Sequence, residues 1–132
     1  MSNPTTTAAK VIYEVTCEVE DEINERFADW LTKHVDEIVK LENGNLFAKA
    51  LITKLDNSLV GGQNPSKNTY VMQYYAYSKE TLQTYLTKYS AGMREDGLKH
   101  FGDKFKATRR SFAIKSEVIP PPSQSNNFGY VF

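Results

Sequence analysis

Hydrophobic and polar residues alternate along the first patterned segment of the chain, residues 11–19. One face carries Val11, Tyr13, Val15, Cys17 and Val19, and the other carries Ile12, Glu14, Thr16 and Glu18. A period of two residues is typical of a β-strand with one buried face. The pattern therefore predicts a first strand over residues 11–19.

The period then becomes helical. Acidic residues at positions 20–22 suit the positive end of a helix. The apolar stripe that follows consists of Ile23, Phe27, Trp30, Leu31, His34 and Ile38. Asn43-Gly44 is a typical helix stop, so we predict that the first helix ends near Leu41.

Two further strands are predicted over residues 46–55 and 69–77. The segment between them, residues 56–68, is rich in Gly, Asn, Ser and Pro and predicts a long hairpin connection. The later strand has no charged residue on either face, with Val71, Gln73, Tyr75 and Tyr77 on one side and Tyr70, Met72, Tyr74 and Ala76 on the other. We therefore expect both of its faces to be covered.

A second helix is predicted to begin after Ser78, a good N-cap residue. Its apolar stripe is Leu82, Tyr85, Leu86, Tyr89 and Met93. We expect Gly92 and Gly97 to break it into a helix and a shorter turn that carries Leu98 and Phe101. Gly102-Asp103 then leads into a fourth strand over residues 105–118.

The element order predicts an α+β protein with a ferredoxin-like βαββαβ sandwich, in which two helices cover one face of a four-stranded antiparallel sheet. A chain of 132 residues suits one such domain. We assign residues 1–9 to an N-terminal arm, 10–118 to the domain and 119–132 to a Pro-rich exit with an aromatic C-terminal tail.

Charge and composition narrow the possible partners. The 16 basic and 16 acidic residues balance, so we expect neither a nucleic-acid nor a membrane partner. The single cysteine, Cys17, and the lack of a signal-like apolar run predict a cytoplasmic protein. The sequence contains no phosphate loop and no metal-ligand spacing, so it predicts no cofactor and no metal site.

Polar residues that interrupt the sheet faces are the candidate ligand-binding groups. We predict that Glu14, Thr16, Gln73 and Arg109 converge on one face, with Tyr75 beside them, as a polar floor for a small acid or phenol. The alternative is an ion pair of Glu14 with Arg109 that only satisfies buried charge.

His34 interrupts the apolar stripe of the first helix. Its imidazole could act as a general base or ligate haem iron, or it could be a core histidine satisfied by a backbone partner. If the chain is an enzyme, the candidate catalytic residues are His34 as the base and Arg109 as the partner of an anionic group.

The sheet face away from the helices is predicted to carry Ile12, Val71, Tyr75 and Tyr77. Apolar area of this extent is usually buried, and two copies that meet sheet to sheet would bury it. We therefore expect these residues to form a homodimer interface.

Several short motifs resemble a known family. IYEVT, the helix around Trp30 and His34, YVMQY and GLKHFGDKFKATR are similar to the proteins catalogued as DUF4286, a domain of unknown function related to the dimeric α/β-barrel superfamily. The resemblance covers roughly residues 10–118. It implies a ferredoxin-like homodimer and no established activity, because related barrels include cofactor-free monooxygenases, haem-degrading proteins, small cyclases and binding proteins.

The sequence after Glu117 has no charge. Three prolines, residues 120–122, are followed by a polar spacer and by Phe128, Tyr130 and Phe132. This tail is either disordered or docks on a neighbouring subunit. Two functions therefore remain open: a non-enzymatic interaction protein whose tails join dimers into higher oligomers, and a monooxygenase- or cyclase-like cofactor-free enzyme or small-molecule carrier that uses the barrel interior.

Overall fold

A computed structural model describes residues 9–122, which form one antiparallel sheet with helices on one of its faces. The strands and helices are β1 (Val11–Val19), α1 (Asn24–Lys40), β2 (Phe47–Lys54), β3 (Asn68–Ala76), α2 (Lys79–Lys88), α3 (Ser90–Phe101) and β4 (Phe105–Ala113). The strand order is β2-β3-β1-β4. This order confirms the predicted ferredoxin-like sandwich.

Strand β1 occupies the middle of the sheet, paired with β3 on one side and with β4 on the other. Its odd-numbered side chains face the helices and contribute to the core, as the alternation predicts. Its even-numbered side chains point to the uncovered side, which we call the open face. The bounds of β1 match the prediction, and those of β2 and β3 differ from it by one residue at each end.

Helix α1 follows a short 3-10 turn and ends in a reversal, residues 41–44, that leads the chain into β2. Glu42, Asn43 and Gly44 all have positive φ angles, of 50°, 58° and 79°, which confirms the predicted stop. The Glu42 carboxylate accepts hydrogen bonds from Lys88 Nζ at 3.1 Å and from the Tyr89 hydroxyl at 2.9 Å. The end of α1 is thereby linked to the end of α2.

The largest part of the core is a cluster of aromatic rings around Phe27, which is fully buried. The rings of Trp30, Tyr70, Phe101 and Phe105 all lie between 5.3 and 5.7 Å from it, centroid to centroid. The cluster joins α1 to the sheet and to α3. Such tilted ring pairs add to the burial of apolar area that stabilises the fold.

The second helical segment differs from its prediction. Ser78 caps α2 as expected, because its side chain accepts from the backbone N–H of Thr81. The break, however, falls at Tyr89, and both glycines lie inside α3. Gly97 allows close packing: a Cβ there would make tight contacts, 3.2 Å from Phe105 and 3.3 Å from Trp30.

Strand β4 is shorter than predicted, since it ends at Ala113 and not at residue 118. Within the described part of the chain it pairs with β1 alone, whose first residue, Val11, pairs with Ala113. One more backbone hydrogen bond follows that pair, from Ile114 N–H to the Lys10 carbonyl at 2.9 Å, and residues 114–122 then continue without regular structure.

The predicted division of the chain into arm, domain and tail stays a prediction, with one residue of the arm described by the structure. Ala9, which we assigned to the arm, is 2% exposed and belongs to the core. The rest of the arm, residues 1–8, and the tail from residue 123 lie outside the described residues. None of the helices described between residues 9 and 122 is long and apolar enough to cross a membrane.

The packing at Gly97 can be tested against a matched glycine in the same helix. Gly97→Val adds methyl groups against Phe105 and Trp30 and should lower the free energy of unfolding by about 1–3 kcal/mol. Gly92→Val adds them where no heavy atom lies within 4 Å and should change it by less than about 0.5 kcal/mol. Urea denaturation measures both. Equal stabilities of the two variants would contradict the close approach of α3 to α1 and β4.

Candidate functional site

The register of the sheet separates the predicted site residues onto two faces. Glu14 pairs with Gln73 on β3 and with Arg110 on β4, so these three side chains share the open face. Arg109 pairs with Val15 and therefore points to the helix side. The prediction that Arg109 joins Glu14 is wrong, and the neighbouring Arg110 occupies that place.

Glu14 has an unusual environment for a carboxylate on an uncovered sheet. Only 4% of it is exposed. Gln73 Nε2 donates to its Oε1 at 2.9 Å, and Arg110 Nε donates to its Oε2 at 2.6 Å. The hydrogen bond from Gln73, followed by that from Arg110, holds the pKa of Glu14 below its ordinary value, although burial acts in the opposite direction. The buried charge is thus satisfied within one chain.

Apolar and hydroxyl side chains surround this row of polar residues. Tyr75 pairs with Ile12, and Val71 pairs with Thr16, so these four side chains lie on either side of Glu14 on the open face. All four are half-buried in the single chain, and so is Tyr77, which lies just beyond the end of β3. The register therefore places Ile12 and Val71, two of the predicted interface residues, on one face, and their role in an interface stays a prediction.

The other candidate residues line a cavity between the helices and the sheet. Its volume is about 60 Å³. His34 and Trp30 line it from α1, Arg94 from α3, and Arg109 from β4. Because the sheet separates this cavity from Glu14, Thr16, Gln73 and Tyr75, the predicted residues form two sites and not one.

The imidazole of His34 is the polar group that the cavity leaves unsatisfied. Its Nδ1 is buried and has no hydrogen-bond partner among the described residues. The ring stacks on Trp30, with centroids 4.2 Å apart, and Trp30 Nε1 donates to Asp96 at 3.3 Å. Burial lowers the pKa of His34, against the opposing effect of Asp96. The imidazole is therefore neutral near pH 7, and the expected backbone partner for Nδ1 is not found.

Cationic and weakly acidic groups complete the cavity. Arg94 and Arg109 are exposed residues that also line the cavity. Burial raises the pKa of the Cys17 thiol to about 11, although Arg109 partly offsets it. Burial likewise raises the pKa values of Tyr74 and Tyr85. At neutral pH the thiol and both phenols are uncharged, so the arginines give the cavity a positive mouth.

Sequence reasoning missed two of these arginines. The alternation of a strand places Arg109 and Arg110 on opposite faces but does not say which of them meets Glu14, and the ladder register decides for Arg110. Arg94 is an exposed charged residue on a helix, and no hydrophobic periodicity marks such a position. The described residues contain no group of three or more His, Cys, Asp and Glu side chains that could hold a metal ion.

Comparison with known proteins places the chain in a family. The family described as Domain of unknown function (DUF4286) matches residues 10–114. The chain belongs to the DUF4286 family. No protein of curated function matches it.

Solved structures share the fold of this DUF4286 chain at low sequence identity. A dimeric ferredoxin-like protein from an uncultured marine organism superposes with a TM-score of 0.65 and 18% identity, over 83% of this chain and 99% of that one. A candidate antibiotic biosynthesis monooxygenase from Deinococcus radiodurans gives 0.60 and 15%, over 85% and 99%. A variant of SnoaB, a cofactor-independent oxygenase from Streptomyces nogalater, gives 0.57 and 9%, over 83% and 98%. At these identities the likeness shows the fold alone.

The two adjacent arginines allow a direct test of the register. Arg110→Met removes a charge-assisted hydrogen bond from buried Glu14 and should lower the free energy of unfolding at pH 7 by about 1–3 kcal/mol. Arg109→Met makes the same change on the other face and should have a smaller effect. Urea denaturation at several pH values measures both.

The pH dependence of this difference has a defined sign. The native pKa of Glu14 is lowered, so its contribution to stability is present above the ordinary carboxyl pKa and is lost as the pH falls through the native value. The deficit of Arg110→Met should therefore shrink in acid. An equal or larger deficit for Arg109→Met would show that the register is wrong.

Proposed function

We propose that this DUF4286 protein is a homodimeric interaction protein, in which the open faces of two sheets pack together as a dimeric α/β barrel. One observation carries the proposal: both carboxylate oxygens of Glu14 are already bonded within the chain. A second copy can therefore cover this face without leaving an unpaired buried charge, which is the main obstacle to burying a polar sheet.

The side chains around Glu14 also suit a symmetric interface. Leu51 and Phe112 are 42% and 39% exposed, and the half-buried Ile12, Val71 and Tyr75 lie between them on the open face. In a two-fold dimer each of these side chains faces the same apolar surface on the other copy. The marine protein with this fold, which is described as dimeric, supports the same arrangement.

A charge placed in the centre of the open face tests the dimer. Val71→Glu should give monomers or insoluble protein, because the new carboxylate would be buried without a partner. Leu59→Glu, at a side chain that is 97% exposed on the β2–β3 connection, is the control and should leave the mass unchanged. Light scattering measures the mass against 15.0 kDa for one chain. A well-folded wild type with the mass of one chain at micromolar concentration contradicts the proposal.

A second candidate function is favoured by the cavity on the helix side. His34 Nδ1 is buried without a partner, and Arg94 and Arg109 give the same cavity a positive mouth. A small carboxylic acid or phenol would supply an oxygen that accepts hydrogen bonds from the arginines and a polar group that bonds to the imidazole of His34. We propose that each subunit carries or transforms such a molecule, with His34 as the base and Arg109 as the anion partner. The cofactor-independent oxygenase that shares the fold supports this possibility.

The size of the cavity limits what can enter. A volume of about 60 Å³ is well below the roughly 150 Å³ of an apolar cavity that accepts benzene. We therefore expect the acidic group to enter the cavity and the remainder of the ligand to lie at its mouth.

Trp30 provides the readout for ligand binding, since it is the only tryptophan of the chain and lines the cavity. Titration with benzoate should change its fluorescence. Arg109→Met should weaken the binding about 10- to 100-fold, through the loss of a charge-assisted hydrogen bond. Arg110→Met removes the same charge from the opposite face and should bind benzoate as the wild type does. Equal affinities of the two variants would contradict a role for the cavity.

The interaction function has a further part outside the domain. We infer that the C-terminal tail joins dimers into higher oligomers. The exit from the domain supports this, because the apolar side chains of Val118 and Ile119 are 90% and 61% exposed and are open to contact with another subunit. The aromatic residues Phe128, Tyr130 and Phe132 lie beyond the described residues.

A further inference from the structure

A groove lies between α2 and the end of β4. Its volume is about 350 Å³. Leu82 and Leu86 line it from α2, and Ser111 and Ala113 line it from β4. Both strand residues are odd-numbered like Arg109, so they face the helix layer, and their side chains are too small to fill the space below α2. Leu86 consequently remains 38% exposed.

The same end of β4 offers an unpaired strand edge. Strand β4 is last in the order of the sheet, and its outer side has no partner among residues 9–122. Its earlier part is protected by charges, at Lys106, Arg109 and Arg110, whereas Ser111, Phe112 and Ala113 carry none. Charge is a common protection of edge strands against pairing. The uncharged end of the edge and the groove therefore coincide.

The C-terminal tail has the complementary pattern. Phe128, Tyr130 and Phe132 alternate with other residues, so an extended tail places all three rings on one side, about 7 Å apart. Leu82 and Leu86 are one helical turn apart, about 6 Å along α2. An added strand at the edge of β4 could thus bond to it through its backbone and place successive rings against these leucines. The tail, like this part of the edge, has no charge.

The path of the chain favours a tail from another subunit. Residues 115–122 are exposed throughout. Three consecutive prolines, residues 120–122, favour an extended polyproline conformation of about 3.1 Å per residue and do not favour a tight return turn. The five residues of the spacer, 123–127, then extend the reach by up to about 17 Å. An extended exit of this kind favours docking on another subunit over a return to the chain's own groove.

We propose that the groove between α2 and the uncharged end of β4 receives the aromatic tail of a neighbouring dimer, which extends the sheet by one strand. The proposal rests on the homodimer proposed above and names the docking site for its tail. Because donor and acceptor surfaces differ, the contact is heterologous and joins dimers into rings or open chains.

Full-length variants test both sides of the contact by sedimentation velocity. Leu86→Glu places a charge in the groove, and Ser111→Trp fills it. A tail variant, Phe128→Ser with Tyr130→Ser and Phe132→Ser, removes the rings. We expect wild type to form species larger than a dimer as its concentration rises, and each of the three variants to lose them. Leu59→Glu is the control and should assemble as the wild type does.

A mixing experiment identifies the direction of docking. Leu86→Glu protein retains its tail and the tail variant retains its groove, so an equimolar mixture should regain species larger than a dimer. If the mixture stays at the dimer mass, docking between subunits is contradicted. If the tail variant loses assembly but both groove variants keep it, the tail acts elsewhere and the groove assignment is wrong.

The remaining outcomes separate this inference from the proposed dimer. A wild type that stays a dimer at every concentration overturns the docking site and leaves the dimer intact. A wild type that sediments as a monomer contradicts the dimer itself. Far-UV circular dichroism of each variant establishes that Leu86→Glu and Ser111→Trp retain the helices and the sheet.

Discussion

The position of β1 between β3 and β4 is the constraint on which the rest of the structure depends. A strand with two neighbours has no freedom to shift by one residue, because a slip would move its whole apolar set out of the core. The pairings of β1 therefore assign every side chain of the sheet to one of two environments. Glu14 goes to the open face, and Cys17, three residues later, goes to the core.

This division explains why one small domain carries two different kinds of surface. On the open face, the polar groups are hydrogen-bonded to each other and are surrounded by apolar side chains. This combination is typical of a protein–protein interface. On the helix side, the aromatic cluster around Phe27 fills most of the space, but His34 Nδ1 remains without a partner. A buried polar atom in that condition costs stability, and a catalytic role or a bound partner is among the explanations for such an atom in a native core.

Much of the fold could be predicted because its signals are local. The alternation of β1, the stripe of α1 and the Asn43-Gly44 stop each depend on residues close together in sequence. The break at Tyr89 could not be predicted in the same way. Gly97 has the local signature of a helix breaker, but its position is set by contacts with Trp30 and Phe105, which are distant in sequence.

The sequence predicts several residues of the candidate site but not how those residues are arranged. Glu14, Gln73 and His34 were recognised because polar residues in apolar patterns need partners. Whether Glu14 meets Arg109 or Arg110 depends on a ladder register between strands that are far apart in sequence, and no local pattern fixes it. Arg94 lines the cavity because α3 continues through the two glycines that suggested a break.

The side of β4 that faces the helices has a consequence for how the two proposed sites relate. Arg109 at the cavity and Ser111 at the groove are two residues apart on the same side of this strand, about 7 Å along one stretch of backbone. A ligand that orders Arg109 and a strand that pairs with this edge would act on the same few peptide units. By thermodynamic linkage, if ligand binding changes the affinity for the added strand by some factor, the added strand changes the affinity for the ligand by the same factor. Ligand binding in the cavity and assembly of the dimers would then be two equilibria coupled through strand β4.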